Sequence, residues 1–87
     1  MEIVITKTFE KQLKSVPKYI RESAIEVLEA LEKAKIVTEI KDLKKLSGYK
    51  NYYRIRIGNY RMGLQIINPK IIVVTILHRG TMYKLFP

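Results

Sequence analysis

From Tyr53 to Ile57 the chain reads Tyr-Arg-Ile-Arg-Ile. This strict alternation is the period-two pattern of a strand with one buried face. Gly58-Asn59 follows, a two-residue hairpin turn with glycine in the first position, as a type II′ turn prefers. Tyr60 to Ile67 is then the returning strand, and Asn68-Pro69-Lys70 makes the next turn. The continuous apolar run Ile71 to Leu77 predicts a strand covered on both faces. At the other end, β-branched Ile3-Val4-Ile5 predicts a first strand. Phe9, Leu13 and Val16 recur at helical spacing behind Thr8 as a cap. Pro17 suits the opening of a second helix. Its apolar stripe is Ile20, Ala24, Val27, Leu31 and Ala34, widened by Ile25 and Leu28, with Glu22, Glu26, Glu29, Glu32 and Lys33 outside. Residues 36–50 read as a basic connection anchored by Leu43 and Leu46 and ended by Gly48. The order β-α-α-β-β-β predicts an α+β fold, with an N-terminal strand and a helix hairpin packed on a mainly antiparallel sheet. No repeat or linker interrupts the chain, and 87 residues suit one domain spanning 1–87.

The turn assigns the hairpin's faces. With Gly58 and Asn59 at the tip, Ile57 faces Tyr60, Arg56 faces Arg61, Ile55 faces Met62 and Arg54 faces Gly63. Directly paired residues share a side of the sheet. Tyr53, Ile55, Ile57, Tyr60, Met62 and Leu64 therefore form the core face, and Arg54, Arg56 and Arg61 the other. Gly63 is expected to leave open space beside Arg54. Like charges set opposite each other destabilise a sheet, and such local violations are expected mainly at functional sites. Three guanidiniums around a side-chain-free position suit a phosphate clamp, because arginine binds phosphate oxygens in bidentate fashion. The alternative is that long arginines splay outward and tolerate one another.

Charge reinforces the clamp. Residues 1–42 hold eight basic and eight acidic side chains, whereas residues 43–87 hold nine cations and no carboxylate. A surface that meets phosphates accounts for carboxylates that stop at one point. Lys44, Lys45, Lys50 and Lys84 extend the expected RNA-binding surface. No basic amphipathic helix carries this charge, so a membrane surface is not expected as a partner. No apolar run is long enough to span a bilayer, and the N-terminus lacks the basic region of a signal peptide; a cytoplasmic location is expected. The absence of cysteine removes thiol catalysis, disulfides and thiolate metal sites. His78 is the only histidine, which excludes a histidine-cluster metal site.

A second cluster, His78-Arg79-Gly80-Thr81-Met82-Tyr83, follows the last strand, where loops commonly carry function. Arg79 is a candidate to join the clamp. Tyr83 is a candidate to stack on a base or move a proton. The turn at Asn68-Pro69-Lys70 leaves the next strand's register open by one residue, and that residue decides whether His78 or Arg79 faces the clamp. No paired carboxylates, Gly-rich phosphate loop or acidic cluster for Mg²⁺ appears in this half. Phosphodiester chemistry here would need neither metal nor cofactor. RNA suits it because its 2′-hydroxyl is an internal nucleophile that the protein need only orient while stabilising charge and shuttling protons.

Lys45-Leu46-Ser47-Gly48, Tyr53 to Arg61, Ile71-Ile72-Val73-Val74, His78-Arg79 and Tyr83 together resemble the RelE/ParE superfamily of toxins from toxin–antitoxin pairs. The resemblance covers nearly the whole chain. It implies a microbial-ribonuclease-like fold and a RelE-type endoribonuclease that cuts messenger RNA in the ribosomal A site without a metal. It implies that Tyr83 helps activate the 2′-hydroxyl, that Arg61 holds the scissile phosphate and that Arg54 and Arg56 stabilise the transition state. Arg79 would assist the leaving 5′-oxygen, and His78 could share the proton transfer. The implied partners are the ribosome, with its mRNA and rRNA, and an acidic antitoxin that wraps the toxin in a hetero-oligomer. Three features depart from the RelE pattern: arginines stand at Arg54 and Arg56 where lysines are frequent, Ser47 replaces a basic residue, and the ending at Pro87 sets the expectation that the C-terminal helix of some members is missing. The alternative within the superfamily is a ParE-type toxin that inhibits DNA gyrase without enzymatic activity.

Overall fold

The structure, a computed structural model, describes residues 1–87. In chain order it contains β1 (Glu2–Ile5), α1 (Lys7–Leu13), α2 (Lys18–Lys33), a 3₁₀ turn (Val37–Glu39), β2 (Leu43–Lys45), β3 (Tyr52–Ile57), β4 (Tyr60–Ile67), β5 (Lys70–His78) and α3 (Arg79–Leu85). The strands form one five-stranded sheet in the order β1-β5-β4-β3-β2. Only the β1–β5 pair is parallel. No helix is long and apolar enough to cross a membrane.

The helix hairpin forms where apolar periodicity places it, and charged groups close its ends. Thr6, not Thr8, caps α1. Thr6 keeps an extended backbone (φ −75°, ψ 156°) while its hydroxyl accepts from the Phe9 N–H at 3.1 Å. The same hydroxyl donates to the Val74 carbonyl at 2.8 Å, so one residue both starts the helix and ties it to β5. Thr8 already lies inside the first turn. Orphan carbonyls at the end of α1 are taken by Arg21, which donates to Leu13 at 3.2 Å and to Val16 at 3.2 Å. The N-terminal ammonium does the same for α2 through Glu32 at 3.1 Å and Ala34 at 2.9 Å. Ile20, Ala24, Leu31 and Ala34 are buried and Val27 and Leu28 half-buried, but Ile25 is exposed. It sits one step of about 100° past Ala24, on the rim of the stripe.

One core unites Phe9, Val16, Ile20, Ala24 and Leu31 with Ile55, Ile57, Met62, Leu64, Ile66, Ile71, Val73 and Ile76 from the sheet. Each of these larger side chains contributes about 1.5–3 kcal/mol by burial. The hairpin register is the predicted one: Ile57↔Tyr60, Arg56↔Arg61, Ile55↔Met62, Arg54↔Gly63 and Tyr53↔Leu64. Gly58 has φ +56°, as its place in the turn demands.

Three further features depart from the sequence expectations. The basic connection contains β2, which pairs Leu43↔Ile55, Lys44↔Arg54 and Lys45↔Tyr53. In β5, Leu64 pairs with Val73 but Gly63 pairs with Thr75, so Val74 is a bulge and the face assignment inverts beyond it. α1 covers the nearby edge of β5, where Gln12 Oε1 accepts from the Ile76 N–H at 2.9 Å and from the Thr75 hydroxyl at 2.6 Å. The carboxamide thereby occupies ladder positions that no strand fills. Finally, the expected absence of a C-terminal helix is overturned, because residues 79–85 form α3. Met82 buries its side chain beneath it.

Candidate functional site

Alternation on β3 and β4 buries Ile55, Ile57, Met62 and Leu64 beneath the helices, so Arg54, Arg56 and Arg61 emerge on the opposite face. β2 extends this face by placing Lys44 beside Arg54. Asp42, Leu43, Lys44, Arg54, Arg56, Arg61 and Tyr83 line one open cleft of about 370 Å³. Two cross-strand pairs supply its cations: Lys44 beside Arg54 and Arg56 beside Arg61.

The apposition of Arg56 and Arg61 has a visible relief. Arg61 Nη1 donates to the Gly58 carbonyl at 2.9 Å and to the Tyr60 carbonyl at 2.9 Å. These bonds hold its guanidinium at the hairpin tip and set carbonyl dipoles against its charge. The remaining N–H groups of a guanidinium fork stay free to meet an anion. Tyr83 reaches the cleft from α3, with its ring centroid 5.6 Å from Arg54 Cζ. That distance lies within the range of a cation–π contact, and Tyr83 is 61% exposed, open to a ligand.

Gly63 is not open space. The Phe86 ring covers it so closely that a Cβ there would lie 2.8 Å from Phe86 Cζ and 2.9 Å from Thr75 Cγ2. The C-terminal segment, folded back across the sheet, fills the position beside Arg54.

The bulge at Val74 settles the neighbourhood of His78. Leu77 pairs with Arg61 and His78 with Tyr60, so His78 falls on the helix side of the sheet. Its ring meets Tyr60 edge-on at 5.5 Å and its Nδ1 accepts from the Gly80 N–H at 3.5 Å, a long capping bond. It borders a different cavity, with Lys11, Ser15 and Tyr60. Arg79 begins α3 and is exposed; its N–H donates to the Asn59 carbonyl at 2.8 Å. It is not among the residues lining the cleft. The structure thus brings Arg54, Arg56, Arg61 and Tyr83 together and leaves His78 and Arg79 outside.

Of the lysines, Lys44 lines the cleft. Lys45 and Lys50 border a shallow depression with Tyr49 around the Leu46–Gly48 turn. Lys84 is exposed on α3. Asp42 was missed by the sequence reading. It is the last carboxylate of the chain, held at φ 61°, a left-handed conformation that aspartate tolerates better than most residues. Its position immediately before the purely cationic half was the available signal. No three His, Cys, Asp or Glu side chains converge anywhere in the fold.

A model of the family described as "ParE toxin of type II toxin-antitoxin system, parDE" matches residues 3–83. The chain is 42% identical to Toxin RelE3 of Methanocaldococcus jannaschii over 88 aligned residues, covering 100% of both proteins. Among solved structures it is similar to a chain of the RelB-RelE antitoxin-toxin complex from Methanococcus jannaschii, with TM-score 0.83, 41% identity and coverage of 97% of this chain and 99% of that one. It is also similar to a chain of the archaeal RelE-RelB complex from Pyrococcus horikoshii OT3, with TM-score 0.74, 29% identity and coverage of 91% and 94%.

Proposed function

The chain belongs to the RelE/ParE superfamily of type II toxins, and on that premise we propose that it is a metal-independent endoribonuclease that cuts messenger RNA in the ribosomal A site. The single observation that carries this reading is the convergence of Arg54, Arg56, Arg61 and Tyr83 on one open cleft. Its cations match a phosphodiester backbone, and its aromatic hydroxyl can move a proton.

In the proposed reaction the 2′-oxygen forms a bond to phosphorus and the bond from phosphorus to the 5′-oxygen breaks. The proton of the 2′-hydroxyl leaves to water, directly or relayed through the Tyr83 hydroxyl, which takes it up as it passes on its own, and water supplies the proton that the departing 5′-oxygen takes up. The product is a 2′,3′-cyclic phosphate, which water opens to a 3′-phosphate. Arginine stays protonated at any working pH, so Arg54, Arg56 and Arg61 bind and stabilise charge rather than transfer protons. Arg61, steadied by the turn carbonyls, holds the scissile phosphate. Arg54 and Arg56 face the negative charge that grows on the phosphoryl oxygens, where preorganised donors contribute most. Arg79, exposed at the head of α3, is left to contact flanking RNA, together with Lys45, Lys50 and Lys84. His78, on the other side of the sheet, has no proton to transfer in this scheme.

The proposed partners are the ribosome and a cognate antitoxin. The relatives crystallised as RelB-RelE complexes support the latter, and an acidic antitoxin segment would complement the cationic face. A second reading, inhibition of DNA gyrase, draws on the ParE name of the matching family model. Both are tested by incubating the protein with programmed ribosomes, mapping mRNA ends, and running a gyrase supercoiling assay beside them. Cuts at A-site codons with unaffected supercoiling are expected. Intact mRNA with inhibited gyrase would overturn the nuclease reading in favour of the second.

A further inference from the structure

α3 has seven residues, too few for a helix to hold itself in water. Its placement must come from what it packs on. At its start, the Arg79 N–H is tied to the Asn59 carbonyl at 2.8 Å. In its middle, Met82 is 2% exposed. At its end, the Phe86 ring sits over Gly63 and meets the Tyr52 ring edge-on at 5.6 Å. Phe86 caps the helix with an extended backbone, and its N–H donates to the Met82 carbonyl at 3.0 Å. Tyr83, one residue after Met82, is turned toward Arg54.

The seat for Phe86 exists only because residue 63 has no side chain. A Cβ there would meet Phe86 Cζ at 2.8 Å, Phe86 Cε1 at 2.9 Å and Thr75 Cγ2 at 2.9 Å. Such separations are below contact distance, so both neighbours must give; Thr75 is buried and can give only a little, whereas the half-buried phenyl ring near the chain's end has room to be displaced. No φ in the left-handed region requires glycine at this position. Glycine is required by the close approach of the ring.

We propose that Gly63 and Phe86 form a seat that positions Tyr83 for catalysis, making both of them positioning residues that act through the tyrosine. The proposal deepens the nuclease reading above and rests on it for the catalytic consequence. Displacing a reacting group by about 1 Å costs about a hundredfold in rate, whereas a methyl group at residue 63 removes none of the cations that dock on RNA.

The test compares Gly63→Ala, Phe86→Ala and the conservative Phe86→Leu with Tyr83→Phe, in single-turnover cleavage on programmed ribosomes and in ribosome binding. Gly63→Ala and Phe86→Ala are expected to slow cleavage at saturating ribosome by about ten- to a hundredfold with affinity essentially unchanged. Phe86→Leu should recover much of the loss. Adding Gly63→Ala to Tyr83→Phe should cost little more than Tyr83→Phe alone, because both act on one group. Multiplicative losses, an equal fall in affinity, or wild-type cleavage by Gly63→Ala would overturn the proposal. NMR of ring-labelled tyrosine supplies a readout independent of RNA. The Tyr83 ring signals should shift in Gly63→Ala, and their contacts to the Arg54 side chain should weaken, while core methyl signals stay in place. Unmoved Tyr83 signals would also overturn it. If the wild-type protein leaves mRNA intact while the Tyr83 signals shift as expected, the nuclease reading fails and the seat stands.

Discussion

The two faces of β3 and β4 are built by alternate residues of the same strands, yet they obey opposite rules. On one face Ile55, Ile57, Met62 and Leu64 lie under α1 and α2 in a continuous apolar core. On the other, Lys44, Arg54, Arg56 and Arg61 stand together around an open cleft. The core face is ordered by removal of apolar surface from water. The cleft face sets cations beside one another, against the preference for mixed charge across a sheet. Stability therefore resides on one side of these strands and the proposed chemistry on the other. Arg61 bridges the two demands, because its bonds to the Gly58 and Tyr60 carbonyls relieve repulsion and brace the turn.

This division is open to breaking from either side. The largest effect on folding is expected from Met62→Ala or Ile55→Ala, which empty fully buried positions. Each should lower the unfolding free energy by about 2–5 kcal/mol in chemical denaturation. Arg61→Ala should instead slow mRNA cleavage by about 10²–10³-fold while lowering stability by about 1 kcal/mol through its lost bonds at the turn. Gln12→Leu, at the edge of β5 and outside the cleft, removes the acceptor for Thr75 and Ile76. It should cost about 1–3 kcal/mol of stability, with cleavage by the folded fraction preserved. Smallest of all, Arg56→Thr should raise stability by about 0.2–1 kcal/mol by ending the like-charge pair, even as cleavage falls. A loss of stability in Arg56→Thr would blur the division.

The hairpin was legible because three local signals agreed: strict alternation, a Gly-Asn turn, and apolar residues falling on one side. The helix hairpin was legible for the same reason. The cap slipped from Thr8 to Thr6 because two threonines lie two residues apart, and only the contact with Val74 distinguishes them. β2 escaped notice because its three residues, Leu43-Lys44-Lys45, are too few to show alternation. Without β2, Lys44 could not be placed next to Arg54. The bulge at Val74 leaves no mark in an unbroken apolar run, so the side on which His78 falls was undecidable by local pattern. The occupation of Gly63 by Phe86 joins residues far apart in the chain, and no periodicity reports such a contact.

The most direct measurement of the central claim combines both faces in one sample. The triple variant Arg54→Gln, Arg56→Gln, Arg61→Gln keeps every core residue and removes three of the cations that line the cleft. Cleavage of mRNA on programmed ribosomes and the thermal unfolding midpoint should be measured together. The expected result is an unfolding midpoint within about 4–8 °C of the wild type's, because the lost turn bonds of Arg61 and the relieved like-charge repulsion offset each other, with cleavage abolished. Cleavage that persists in the folded triple variant would contradict the assignment of the chemistry to this face.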